Sequence, residues 1–164
     1  MEFEINTTLV LQVICVAVFT AVAMATDLRS RKIPNWLTVS AAVSGLLFHI
    51  CVMRLPGLWF SLGGFAVGFG ILFVLWIIGG GGAGDVKLMG AVGAWLGPKY
   101  TFAVFLLSVF FSLLCMLAVI GYGLVSNKKK TSATNLMKKK IPYAVPCGLS
   151  AWAVLLVQLF AERS

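Results

Sequence analysis

The stretch FAVGFGILFVLWIIGGGGAGDVKL, Phe65 to Leu88, decides how the whole chain is read. Its first half belongs to an apolar run over 57–78 that carries no charged residue. A helix crossing a bilayer needs about 20 apolar residues, so this run reads as a membrane span. Gly79-Gly80-Gly81-Gly82-Ala83-Gly84 then interrupts it, because glycine weakens helix, lets backbone approach closely and leaves main-chain donors open. Asp85 follows directly, at the mouth of another apolar segment. A carboxylate beside lipid is expensive and points to function rather than packing.

Outward from this stretch the apolar character continues. Of the 164 residues, 60% are hydrophobic and 11% charged, against roughly half and a quarter in soluble domains. Apolar segments lie near 6–25, 36–53, 57–78, 86–97, 101–125 and 141–161, separated by polar or Gly/Pro punctuation. The expectation is an all-α polytopic membrane protein with about six transmembrane helices, forming a single membrane-embedded domain over 1–164 with a cytoplasmic loop over 126–140. The fourth segment, about 12 residues or roughly 18 Å of helix, is short against a hydrocarbon core of about 30 Å. It must tilt, recruit neighbouring residues or sit in locally thinned bilayer. Trp36, Trp59 and Tyr143 open segments and Tyr122 lies near the end of one, positions that suit aromatic anchors at the membrane interface.

Basic residues set the orientation, since they gather in cytoplasmic loops. With the N-terminus outside, Arg29, Arg31, Lys32, Lys87 and the lysine triplets at 128–130 and 138–140 fall inside. Arg54, Lys99 and Arg163 fall outside, so ten of the thirteen basic residues are cytoplasmic. The net charge of +8 is therefore an inside-positive pattern, with the 126–140 loop suited to anionic lipid, and it does not mark a nucleic-acid interface. Ala21-Val22-Ala23-Met24-Ala25 has the small-x-small spacing of a signal-peptide cleavage site. Glu2 and Glu4 precede that run and the basic residues follow it, the reverse of a signal peptide. Cys15, Cys51, Cys115 and Cys147 are scattered singly, with no Cys-x-x-Cys pair, so no metal site, disulfide framework or cofactor is expected.

Five acidic residues remain to be placed. Glu2, Glu4 and Glu162 sit at the termini, in water, which leaves Asp27 and Asp85. The topology puts both at the cytoplasmic face, Asp27 where the first helix exits and Asp85 where the third has returned. Two carboxylates held together split their titration, leaving one ionised and one protonated, which is what hydrolysis of a peptide bond asks of them. Alone, Asp27 reads as a polar residue at a helix boundary, near three basic residues that would neutralise it. Gly79-x-Gly81-x-x-Gly84 matches a dinucleotide-binding pattern, but a membrane helix precedes it where a strand is required. A Walker loop would need Gly-Lys-Ser/Thr where Gly84-Asp85-Val86 stand. His49, the only histidine, falls toward the outer end of the second helix and reads as structural.

Gly82-Ala83-Gly84-Asp85-Val86-Lys87-Leu88 resembles the Gly-x-Gly-Asp signature of membrane aspartic proteases. Asp27-x-Arg29-x-x-x-Ile33-Pro34-Asn35 resembles the first-aspartate motif of type IV prepilin peptidases. Gly-x-Gly-Asp alone is shared with presenilin-like enzymes. The Ile-Pro-Asn element, the Lys87-Leu88 continuation and the small size favour the prepilin group, over about residues 7–160.

The resemblance implies an aspartic endopeptidase with Asp27 and Asp85 as its catalytic pair. Gly82 and Gly84 would shape the loop of the second aspartate, while Pro34 and Asn35 would end the first loop and start helix two, with Asn35 as N-cap. Lys87 would either favour the ionised carboxylate or serve as an inside-positive anchor. The implied partner is a prepilin or pseudopilin whose leader is cleaved at the cytoplasmic face of a bacterial inner membrane, its extended cleavage segment entering a glycine-rich opening between helices three and four. Pro142-Tyr143-Ala144-Val145-Pro146 would pack or help to dock substrate. Longer members carry an insert with paired Cys-x-x-Cys motifs and methylate the new N-terminus. This chain lacks those motifs, so no N-methylation is expected, and the compact form resembles peptidases of Flp-type pili; nothing in it specifies an oligomeric state. The competing readings are a small transporter or ion-relay subunit using Asp27 and Asp85, and an inactive assembly subunit. Two acids at one interface, with neither at the midplane, favour the protease.

Overall fold

The computed structural model describes residues 2–30, 32–79, 82–125 and 143–161. Every element among the described residues is helical: α1 (Glu2–Ser30), α2 (Asn35–Met53), α3 (Leu55–Ile77), α4 (Ala83–Val125) and α5 (Ala144–Ala161). Each contains a stretch long and apolar enough to cross a membrane, and side chains such as Trp36, Trp59, Ile77 and Phe160 stand outward where lipid solvates them. The chain is a polytopic all-α membrane protein. The 126–140 loop with its lysine triplets, Arg31, Gly80, Gly81, Pro142 and Glu162 lie outside the described residues, as does the Tyr122 side chain. Helix α1 runs past the expected end at 25, so Asp27 lies inside its final turns rather than beyond them.

The segments expected separately at 86–97 and 101–125 are two arms of α4, joined across a break at Gly97 (φ 73°, ψ 174°) and Pro98. Glycine accepts the positive φ, and proline has no N–H to give to the carbonyl of Ala94. That carbonyl is satisfied from elsewhere: Ser61 Oγ donates to Ala94 O at 2.7 Å, and Gln12 Nε2 donates to Trp95 O at 2.5 Å. The arms double back on each other, since Met89 on the first and Thr101 on the second both lie against Gly68 of α3. The first arm is the centre of the molecule, with Leu88, Met89, Ala91, Val92, Trp95 and Leu96 buried. Its shortness follows from that position. A helix walled by protein does not have to match the thickness of the surrounding lipid.

Close backbone contact holds α3 to this arm. Gly57, Ser61, Gly64, Gly68 and Leu72 form the buried face of α3. A Cβ on Gly64 would collide with Gly93 O, and one on Gly93 with Gly64 O. Between helices in lipid, such small-residue packing replaces the hydrophobic drive that operates in water. Arg54 alone links α2 to α3, at φ 57°. His49 is buried at the junction, its Nδ1 2.9 Å from Gly45 O and 3.1 Å from Ser61 Oγ. Because the single Ser61 proton goes to Ala94 O, the His49 Nδ1–H is the donor to both neighbours, and the histidine acts as a strut. Trp95 completes the lock by lying over Gly45 and donating from Nε1 to Ala41 O at 2.7 Å. On the other side, α5 docks on α1 through Trp152 Nε1, which donates to Thr20 Oγ1 at 2.8 Å.

Overpacking a tight contact costs about 1–3 kcal/mol, so Gly64→Ala should lower the thermal midpoint in detergent by several degrees. Gly70→Ala, where a new Cβ meets nothing within 4 Å, should leave it unchanged. Equal midpoints for the two variants would contradict the α3–α4 backbone contact.

Candidate active site

Asp27 is 7% exposed, and its Oδ2 accepts the backbone N–H of Ala144 at 3.1 Å. Ala144 is the first residue of α5, so this N–H is one of the donors that a helix start leaves without an internal partner. Tyr143 precedes it as the turn residue whose carbonyl accepts from Cys147 N at 3.1 Å. The carboxylate of α1 thus accepts the first N–H of α5.

Asp85 occupies the first turn of α4. Its Oδ2 accepts from Gly82 N at 3.1 Å, while Gly82 O accepts from Asp85 N at 3.0 Å. This is the carboxylate half of a capping box, with the side chain reaching back to the residue before the helix. A Cβ on Gly82 would stand 2.9 Å from Asp85 Oδ2, so a side chain there disturbs the carboxylate directly. At Gly84 the neighbour is Ile33, whose Cβ would lie 3.7 Å from an added Cβ. The loop after the first aspartate therefore rests on the loop of the second.

Asn35 and Lys87 join the two motifs across 52 residues, with Nζ of Lys87 donating to Asn35 Oδ1 at 3.0 Å. This corrects the expectation that Asn35 is an N-cap. Pro34 takes that place (φ −63°, ψ 135°), with its carbonyl accepting from Leu37 and Thr38 at 3.2 and 3.4 Å. The ring of Pro34 presets the residue that enters the helix, leaving the Asn35 side chain inside the first turn and available to Lys87. The ammonium of Lys87 ties the two motifs together.

Asp27 reaches the first turn of α5 by its bond to Ala144, and the charge of Asp85 acts on Tyr143 just ahead of it. Tyr143, just ahead of the α5 span, is half-buried with its hydroxyl 2.9 Å from Ser108 Oγ. Burial pushes its phenol upward against the opposing Ser108 bond, with a smaller push from the charge of Asp85. It faces inward, which corrects its reading as an interfacial anchor. The part played by the α5 start escaped the sequence reading because a main-chain N–H has no side-chain signature. The available signal was Pro146, a residue that favours helix first turns.

Helices α3 and α4 meet backbone to backbone at Gly64 and Gly93, while the expected glycine-rich opening between them includes Gly80 and Gly81, outside the described residues. A cavity of about 410 Å³ is walled by α2, α3 and α4, with Thr38, Ala42, Leu46, Phe65 and Phe69 along it and Lys87 among its lining residues.

Fold and site together define a polytopic membrane protein in which Asp27, at the end of α1, bonds the start of the last described helix and Asp85, at the start of α4, bears electrostatically on the residue before it. The chain belongs to the type IV leader peptidase family, whose pattern matches residues 14–124. It is similar to the preflagellin peptidase of Methanococcus voltae, with 33% identity over 88 residues, 51% of this chain and 37% of that protein. The matched region is thus little more than a third of that relative's length. Residues 14–124 include both aspartates and both arms of α4 up to Leu124, whereas Tyr143 and Ala144 lie outside them.

A Cβ separation of 3.7 Å between positions 33 and 84 falls within the range of about 3.5–4.5 Å that a disulfide requires. The pair Ile33→Cys with Gly84→Cys should therefore cross-link under mild oxidation, seen by peptide mapping without reductant. Two thiols that react with maleimide yet never pair would contradict the contact between the loops.

Proposed function

We propose that this protein is an aspartic endopeptidase that removes the N-terminal leader from prepilin-like precursors, with Asp27 and Asp85 as the catalytic pair. The observation that carries this reading is the contact between the two aspartate motifs, Ile33 against Gly84 and Asn35 bonded to Lys87, with Asp27 held by the start of α5 beside a tyrosine that feels the Asp85 charge. In the reaction, the ionised aspartate takes a proton from water as its oxygen attacks the scissile carbonyl. The protonated aspartate hydrogen-bonds the carbonyl oxygen and gives up its proton as the tetrahedral intermediate forms. Collapse breaks the C–N bond as the first aspartate passes its proton to the departing amine and the second takes a proton back from a hydroxyl of the intermediate, so the pair again holds one charge and one proton. No covalent intermediate and no cofactor are required.

Membership of the leader peptidase family supports a substrate with a cleavable N-terminal leader, and the Methanococcus relative by its name acts on a preflagellin. Our reading for this chain is a Flp-type prepilin or a pseudopilin, cleaved at the cytoplasmic side of a bacterial inner membrane, with the N-terminus of the enzyme outside. Release of the product without methylation is part of the same reading, from the lack of Cys-x-x-Cys pairs. The substrate must be extended at the cleaved bond, because a helical carbonyl is already engaged. The apolar cavity beside Lys87 supports entry from the α2–α3 side.

The test is cleavage of a Flp-type prepilin in liposomes by wild type, Asp27→Asn and Asp85→Asn, with the mass of the mature N-terminus as readout. Wild type should cleave without adding a methyl group, and each variant should lose about 10³-fold or more of the rate, within the usual range for acid–base groups. Cleavage persisting in both variants would overturn the catalytic pair, and no cleavage by any form would favour the ion-relay reading.

A further inference from the structure

Ser108, on the second arm of α4, is fully buried, and its hydroxyl has two oxygen neighbours: Phe105 O at 2.8 Å and the Tyr143 hydroxyl at 2.9 Å. A serine has one proton to give, and a carbonyl can only accept. Ser108 therefore donates to Phe105 O, and the Tyr143 phenol donates to Ser108 Oγ. Burial keeps that phenol neutral, so its proton is committed to the bond.

The backbone of the same tyrosine begins α5. Its carbonyl accepts from Cys147 N at 3.1 Å, and the next N–H, that of Ala144, holds Asp27 Oδ2 at 3.1 Å. Tyr143 also lies within the field of Asp85. One residue thereby connects the second arm of α4, the first turn of α5 and both carboxylates. A tyrosine serving as a membrane anchor directs its hydroxyl to the headgroups, and this one directs it into the protein.

We infer that Tyr143, braced by Ser108, is a positioning residue that holds the first turn of α5 so that the Ala144 N–H sets the Asp27 carboxylate in register with Asp85. The inference rests on the peptidase reading. The phenol exchanges no proton with substrate and acts only through the helix start. Without the brace the α5 start gains freedom, and Asp27 leaves its reacting orientation for part of the time. A misplacement of 1 Å can cost about 100-fold in rate. A partial loosening should therefore cost about tenfold in kcat, with KM little changed because the cavity beside Lys87 is lined by α2, α3 and the first arm of α4 and not by α5.

The experiment compares cleavage kinetics of wild type, Tyr143→Phe, Ser108→Ala, the double variant and Asp27→Asn in one liposome preparation, with thermal midpoints measured on the same material. Each single variant should lose about tenfold in kcat with KM within about twofold of wild type, and the double should be no worse than either single, since both remove one bond. Ser108→Ala carries the test if Tyr143→Phe does not fold. Unchanged kcat in a folded single variant, a loss confined to KM, or additive losses in the double would overturn the brace. If these appear while Asp27→Asn is inactive, the brace alone is wrong; cleavage by Asp27→Asn would overturn the peptidase reading itself.

Discussion

Contact between the backbones of α3 and the first arm of α4, with Gly64 against Gly93, sets the position of everything around it. It allows the first arm to sit at the centre, enclosed by helices that do face lipid. Placing that arm places Asp85 at its start and the Gly97–Pro98 break at its end. The break sends the second arm back alongside, which brings Ser108 to Tyr143. Side chains in place of these glycines would push α3 outward and open the centre on which both ends depend.

A second constraint comes from the solvent. In hydrocarbon a backbone group without a partner costs several kcal/mol, so each interruption of helix needs a donor or acceptor from elsewhere. At Pro98 the freed carbonyl of Ala94 is met by Ser61. At the starts of α4 and α5 the free N–H groups of Gly82 and Ala144 are met by Asp85 and Asp27. Completing two helix starts gives each aspartate a fixed orientation, and a helix N-terminus favours a negative group there. The same bonds fix the two carboxylates that the proposed mechanism uses.

Much of this was legible in the sequence. Hydropathy marks the spans, and the Gly82–Leu88 and Asp27–Asn35 motifs mark the two loops. What escaped has physical reasons. A hydropathy window registers apolar length but not enclosure, so the 86–97 segment looks too short when it is in fact walled by protein. Asn35 has the chemistry of a cap, yet Pro34 with its preset φ takes the position and leaves the amide to Lys87. Tyr143 has an anchor's composition and place, and only the buried hydroxyl of Ser108 distinguishes it from Trp36 and Trp59, which stand in lipid. Asp27 depends on a main-chain amide 117 residues away, a partner that no side-chain pattern announces.

The central claim is that Asp27 and Asp85 serve one site. Its most direct test is the span between them in the folded membrane protein, taken with Asp27→Cys and Asp85→Cys together in a Cys147→Ala background. Bifunctional thiol reagents of increasing length would be applied and the products mapped. Efficient linkage of 27 to 85 by the shortest reagents is the predicted result. Linkage only by long spacers, with each thiol reactive on its own, would contradict a shared site.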